Sequence, residues 1–172
     1  GLELPDARRL GGAARAEDTL AAAASIARLG VAAQAVGIGQ AALEHARDYA
    51  LERAQFGRPL GEFGAIRDKI GRMVARVVAA RALVVSVARQ EEDSDGGIGG
   101  LSFATGTAVA KAVASEAAVF IADEAVQIFG GYGYSRELPV EKIYRDVRVA
   151  QIYEGTSDVQ RIIISRQLLR GG

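Results

Sequence analysis

Apolar positions recur along this chain with the period of a helix almost throughout. Leu20, Ala24, Ala27, Val31, Ala35, Ile38, Ala42, Ala46 and Tyr49 follow one another at intervals of three and four. That spacing brings side chains onto one face of a helix. It predicts a first helix over 19–54, whose many small inward residues let a neighbouring helix approach closely. Phe56-Gly57-Arg58-Pro59 ends it, because glycine and then proline stop a helix. A second helix is predicted over 62–91, with Phe63, Ile66, Ile70, Met73, Val77, Val84 and Ala88 as its stripe and Arg67, Arg72, Arg76 and Arg89 on its polar side. Asp93 to Gly100 reads as a flexible loop. A third helix follows over 101–129, with Val109, Val113, Phe120, Ile121 and Ile128 inward, and Gly130-Gly131-Tyr132-Gly133-Tyr134 ends it.

Pro139 suits the first turn of a short helix over 139–148. Thr156 is placed to cap a last helix over 157–170, whose Val159, Ile162, Ile163 and Leu169 are expected to face inward. Three long and two short helices joined by short loops predict an all-α fold, an antiparallel up-down bundle over residues 19–172. Residues 1–18 are polar and irregular and read as a lead-in.

Composition narrows the chemistry. With 21 basic and 21 acidic side chains, the net charge is zero, so no general pull toward nucleic acid or an anionic membrane is expected. The absence of cysteine excludes disulfides, thiolate metal sites and a cysteine nucleophile. His45 is the single histidine and cannot build a multi-histidine metal site, so no metal is expected. No apolar run looks long enough to span a bilayer, which at ~20 residues is the usual requirement. A cytoplasmic protein is the default expectation.

Four places offer chemistry. Glu154 lies on a glycine-hinged turn before the last helix, in Ile152-Tyr153-Glu154-Gly155-Thr156-Ser157. Burial beside Tyr153 and Ile152 would make it a proton acceptor, and its amide, near the helix start, could polarise a carbonyl. Arg53, Gln55 and Phe56 put a cation, an amide and an aromatic ring at a helix end, a set that can grip a phosphate and an adenine. Gln127, Gly130 and Gly131 offer an amide and open backbone for a phosphate or ribose. Arg28 is a charge among small apolar residues of the first helix. Taken singly, each has a plainer explanation: a solvated acid at a helix start, a basic residue at a helix end, a glycine helix stop and a snorkelling arginine.

Their order and spacing together resemble the C-terminal domain of the acyl-CoA dehydrogenase family. The matching stretches are 49–60 (Tyr49 to Leu60), 127–134 (Gln127 to Tyr134), 139–146 (Pro139 to Asp146) and 152–157, followed by Gln160-Arg161. The resemblance implies FAD and oxidation of an acyl-CoA thioester to trans-2-enoyl-CoA, with Glu154 removing the α-proton and its amide helping to polarise the thioester carbonyl. It implies that Arg53, Gln55, Phe56, Gln127, Gly130 and Gly131 hold the adenine and pyrophosphate end of a flavin belonging to a neighbouring subunit, hence a homodimer or homotetramer. Thr156 and Ser157 would lie near the subunit's own flavin, and Arg28, Tyr153 and Gly155 on the substrate side. Electron-transfer flavoprotein is the implied acceptor.

Some family members carry the base in the first helix, just before the arginine matching Arg28; here that residue is Ala27. Ser25 stands where many members have an acid contacting CoA, and Gly64 where many have a glutamine near the flavin adenine. The start, with Gly1 rather than Met, leads us to expect a C-terminal piece of a longer enzyme, inactive alone. Two other readings stay open: a non-catalytic assembly subunit of this fold, and an acyl-CoA oxidase.

Overall fold

The computed structural model describes residues 16–90 and 98–170. Five α-helices are present among the described residues: α1 Ala16–Glu52, α2 Gly64–Ala88, α3 Phe103–Phe129, α4 Pro139–Arg148 and α5 Ser157–Arg170. Between α1 and α2 lie two short strands, β1 Ala54–Gln55 and β2 Arg58–Pro59, paired antiparallel. The helical bundle is thus the one its periodicity predicts. The strands were not expected; they follow from the turn Phe56-Gly57, where both residues are left-handed (φ 50° and 80°), the geometry of a two-residue hairpin turn. Most of the lead-in and most of the 93–100 loop fall outside the described residues; of the former, residues 16–18 already belong to α1.

Helix order is up-down-up. Tyr49 stacks on Phe129 with ring centroids 4.0 Å apart, and Gly39 faces Ala118 and Ile121, so α1 and α3 run parallel. A Cβ on Gly39 would stand 3.3 Å from Ile121 Cδ1, which shows how closely the two backbones approach. The α2 helix runs the other way, with Lys69 bonded to Glu124 at one end and Val87 against Gly106 at the other. The fourth side is divided. From the end of α3 the chain returns along it as α4, breaks at 149–156, and continues as α5, whose Gln167 Oε1 accepts from the Ser102 amide at 3.2 Å. Ser102 in turn caps α3, its Oγ accepting from the Thr105 amide at 3.3 Å.

At the centre is α3, buried on nearly every side, its own face rich in alanines with Ile121, and Met73, Val77, Val84, Val31 and Ala35 packed around it. The predicted α1 stripe holds from Val31 to Tyr49 but not before: Leu20 is 70% exposed and Ala24 is exposed. At ~1.5 Å per residue the 37 residues of α1 and 27 of α3 span about 55 and 40 Å. The first turns of α1 therefore project past the start of α3. On α2, Val87 is buried where Ala88 was expected, and on α3 Val113 is exposed. Phe120 is half-buried beneath the Arg72 and Arg76 guanidinium groups, 4.9 and 3.8 Å from its centroid. On α5, Val159, Ile162 and Leu169 are exposed, Ile163 is half-buried, and the fully buried residue is Gln160. Its apolar residues occupy more than the face toward α3.

One expectation is corrected by α1. An 18-residue window of that helix has a mean hydropathy of 1.4, enough by length and composition to cross a bilayer. Within this chain 28% of that window is buried, and the buried positions from Val31 onward pack against α3.

A small acid-sensitive element lies in α4. Arg145 Nε donates to Glu141 Oε1 at 2.6 Å and holds the Glu141 carboxyl below its ordinary range, mainly through that hydrogen bond. The unfolded chain then binds this proton more readily, so the stabilisation is fully present above the ordinary value of 4.5 and is lost as pH falls through the lower folded value. Replacing Glu141 with Gln is expected to lower the thermal midpoint at neutral pH and to leave it unchanged in strong acid; melting curves across that range test the sign.

Candidate functional site

Glu154 occupies the break in the fourth side of the bundle. Ile152 and Tyr153 amides donate to the Val149 carbonyl at 2.8 and 3.2 Å, closing the turn that follows α4. The next two residues are both left-handed, Glu154 at φ 52° and Gly155 at φ 90°. Glycine adopts this freely, but a glutamate there costs about 1 kcal/mol or more. The turn is held from below. Gln160 Nε2 donates to the Glu154 and Gly155 carbonyls at 3.1 and 3.0 Å, and Lys111 Nζ donates to the Gly155 carbonyl at 2.6 Å. Thr156 caps α5 as predicted, Oγ1 accepting from the Val159 amide at 3.4 Å.

With both carbonyls turned inward, the Glu154 side chain emerges on the outer side and is exposed. This corrects the expectation that Tyr153 and Ile152 shelter it. Ile152 is itself exposed, and the half-buried Tyr153 spends its hydroxyl on Gln34 of α1. Two cations flank the carboxylate. Arg28 is half-buried, and its Nη2 donates to Ser25 Oγ at 3.0 Å while Ser25 Oγ donates to the Ala21 carbonyl at 2.9 Å. Burial lowers the Arg28 and Lys111 affinities for their protons, and the negative charge of Glu154 pulls both back up. Thr156 and Ser157 line a cleft of about 390 Å³ together with Ile152, the basic Arg148 and Arg161 and the acidic Glu116 and Asp158. A carboxylate on an over-determined turn, between two cations and beside a cleft, has the means to accept a proton from a docked molecule.

The remaining candidates gather elsewhere. Arg53 lies with its guanidinium 5.7 Å from the Tyr132 ring, which brings the 53–56 hairpin beside the 130–134 turn. Gln55, Phe56, Gln127, Gly130 and Gly131 are all exposed there, Phe56 at 93%. Gly130 is left-handed (φ 60°), and neither Gly130 nor Gly131 has any atom within 4 Å of where a Cβ would stand. An exposed cation, two amides and bare backbone fit a phosphodiester, and an exposed ring fits a stacked base. This cluster does not join Glu154: Arg28 and Arg53 are 25 positions apart along α1, about 37 Å of helix. Gly64 opens α2 with open space around it. A larger groove, about 540 Å³, lies between α1 and α2 beside Gln40, Val77, Arg81, Val85 and Arg89 and holds none of the candidates.

Sequence reasoning passed over Lys111 and named Gln160 only within a matching stretch, with no role. One signal was available for Lys111: it is the lone charge in Ala108-Val109-Ala110-Lys111-Ala112-Val113-Ala114, on a helix with almost no exposed side.

The family described as "Acyl-CoA dehydrogenase, C-terminal domain" matches residues 12–169. An acyl-CoA dehydrogenase of Bacillus subtilis is 47% identical over 169 residues, which is 98% of this chain and 43% of that protein. The butyryl-CoA dehydrogenase structure from Megasphaera elsdenii superposes with a TM-score of 0.88 at 42% identity, over 97% of this chain and 42% of the other. A structure described as the electron transferring flavoprotein of Acidaminococcus fermentans contains a chain that matches at 40% identity and a TM-score of 0.85, over 94% and 41%. The chain thus spans about two-fifths of the length of the relatives it matches.

Proposed function

This chain belongs to the acyl-CoA dehydrogenase family, as its C-terminal domain, and we propose that Glu154 is the base of an FAD-dependent oxidation of an acyl-CoA thioester to the trans-2-enoyl-CoA. The observation that carries this reading is the left-handed Glu154, a strained residue fixed by buried donors beside a cleft. Glu154 takes the proton from the carbon next to the thioester carbonyl. Arg28 and Lys111 keep positive charge beside the carboxylate that receives it. The Glu154 amide helps polarise the thioester carbonyl and so acidifies that proton. FAD, when bound, supplies the acceptor for the β-hydrogen, which leaves as hydride. Thr156 and Ser157, which line the cleft, lie on the flavin side of Glu154, and Tyr153, Gly155 and Arg28 on the substrate side.

Arg53, Gln55, Phe56, Gln127, Gly130 and Gly131 hold the adenine and pyrophosphate end of a flavin bound by a second subunit. The ~37 Å of helix between Arg28 and Arg53 supports this, since it sets the two clusters toward different ends of the bundle. The enzyme is accordingly a homodimer or homotetramer, with electron-transfer flavoprotein as its electron acceptor. A partner subunit and the rest of the enzyme supply the shelter that Glu154 lacks in this chain.

Anaerobic addition of a short-chain acyl-CoA to the FAD-loaded full-length enzyme tests the reading. The flavin absorbance is expected to bleach with formation of enoyl-CoA. A flavin that keeps its colour with every acyl-CoA offered contradicts it.

A further inference from the structure

Lys111 has a property the proposed chemistry leaves unused. It is fully buried, on a helix face of alanines. An ammonium withdrawn from water is costly unless paired, and an apolar residue would fill the same space at no such cost. Its hydrogen bond goes not to an acid but to a backbone carbonyl, that of Gly155, at 2.6 Å. Gln160 repeats the pattern from α5. It too is fully buried, its Nε2 reaches the carbonyls of Glu154 and Gly155, and its Oε1 has no partner among the described residues. Two buried polar groups, on two helices, converge on two consecutive carbonyls of one strained turn.

We infer that Lys111 and Gln160 are positioning residues which fix the two peptide planes flanking Gly155, those of Glu154–Gly155 and Gly155–Thr156, and so aim the Glu154 carboxylate outward. This deepens the proposed function and rests on Glu154 being the base. Three features follow from it. The turn needs no strand or helix partner of its own, because its carbonyls are held by side chains. Gly155 lacks a side chain because Gln160 Nε2 would lie 2.5 Å from a Cβ there. Lys111 adds a charge to its hydrogen bond, which strengthens its hold on the Gly155 carbonyl.

The test uses Lys111→Met, Gln160→Met and the double variant in the FAD-loaded full-length enzyme. Each methionine keeps side-chain bulk and removes the donor, and each single variant leaves the Gly155 carbonyl one partner. The rate of flavin bleaching at saturating acyl-CoA is expected to fall about 10- to 100-fold in Lys111→Met, since small misplacement of a reacting group has effects of that size. KM and flavin content are expected to stay near their original values. Because the two donors share a carbonyl, the double variant is expected to lose more than the product of the single effects.

Rates within twofold of the original in all three variants overturn the inference. So does a loss that merely follows falling flavin content and thermal stability. If Lys111→Met does not fold, Gln160→Met decides by the same comparison. A readout free of activity uses the 172-residue chain: Glu154→Gln is expected to lower the midpoint at which the Lys111 side chain titrates by NMR, because that carboxylate raises it. An unmoved midpoint also counts against the clamp. Should Glu154→Gln bleach normally, the base assignment itself fails; should it be inactive while the Lys111 and Gln160 variants are normal, only the positioning role fails.

Discussion

Replacing Glu154 with Gln is expected to slow flavin bleaching by acyl-CoA by about 10²- to 10⁴-fold, the usual contribution of a positioned general base. The amide keeps the shape of the side chain but cannot take up the proton. Glu154 is exposed, and the hydrogen bonds of the turn use its backbone rather than its carboxylate. The variant is therefore expected to fold, bind FAD and bind acyl-CoA as the original does. That separation is the value of the experiment: a fall in rate with unchanged KM removes an interaction made in the reaction rather than in binding. Stopped-flow absorbance of the FAD-loaded enzyme measures it, and bleaching at the original rate defeats the assignment.

The second large effect is expected at Gly155. A methyl group in Gly155→Ala would stand 2.5 Å from Gln160 Nε2, and the backbone there is at φ 90°, where side chains are rarely accommodated. Gln160 is fully buried and bonded to both turn carbonyls, so it cannot swing aside without releasing them. Relaxation must come from the turn, which moves Glu154. The expected cost is about 1–3 kcal/mol of stability from backbone strain and roughly 100-fold in rate from misplacement of the base. Urea unfolding and flavin reduction report the two parts. A variant with unchanged stability and unchanged rate would mean that the turn tolerates a side chain and is not the rigid element described above.

Much of this was legible in the order of residues, and the exceptions have physical causes. Val31, Ala35, Ala42 and Ala46 announced the α1 face because a buried stripe leaves a period in sequence. Leu20 continues that period into solvent, because where α1 outruns α3 is decided by relative helix length. Phe120 looked like core but is covered by the Arg72 and Arg76 side chains, which periodicity assigned to the opposite, polar face. The Phe56-Gly57 hairpin was hidden because the signals that ended the helix were the same ones that turn the chain.

At the site, the resemblance pointed to Glu154, and the structure adds the turn that carries it. What the sequence could not supply was its exposure. Shelter was inferred from Tyr153 and Ile152 as neighbours in sequence, yet the chain turns left-handed at Glu154, Ile152 is exposed, and Tyr153 goes to Gln34 instead. The roles of Lys111 and Gln160 were missed for a related reason. A lysine and a glutamine on helices read as solvated, and only the packing of α3 and α5 against the turn buries them. The separation of the Arg53 cluster from Glu154 likewise appears only once α1 is seen as one unbroken helix.

The account depends on Glu154 meeting the acyl group once the rest of the enzyme encloses it. The direct measurement is a crystal structure of the FAD-loaded full-length enzyme with a bound, unreactive acyl-CoA analogue. A Glu154 carboxylate oxygen is expected about 3–3.5 Å from the carbon next to the thioester carbonyl, the distance of a group poised to react. A carboxylate still facing open solvent, with the acyl chain seated elsewhere, would contradict it.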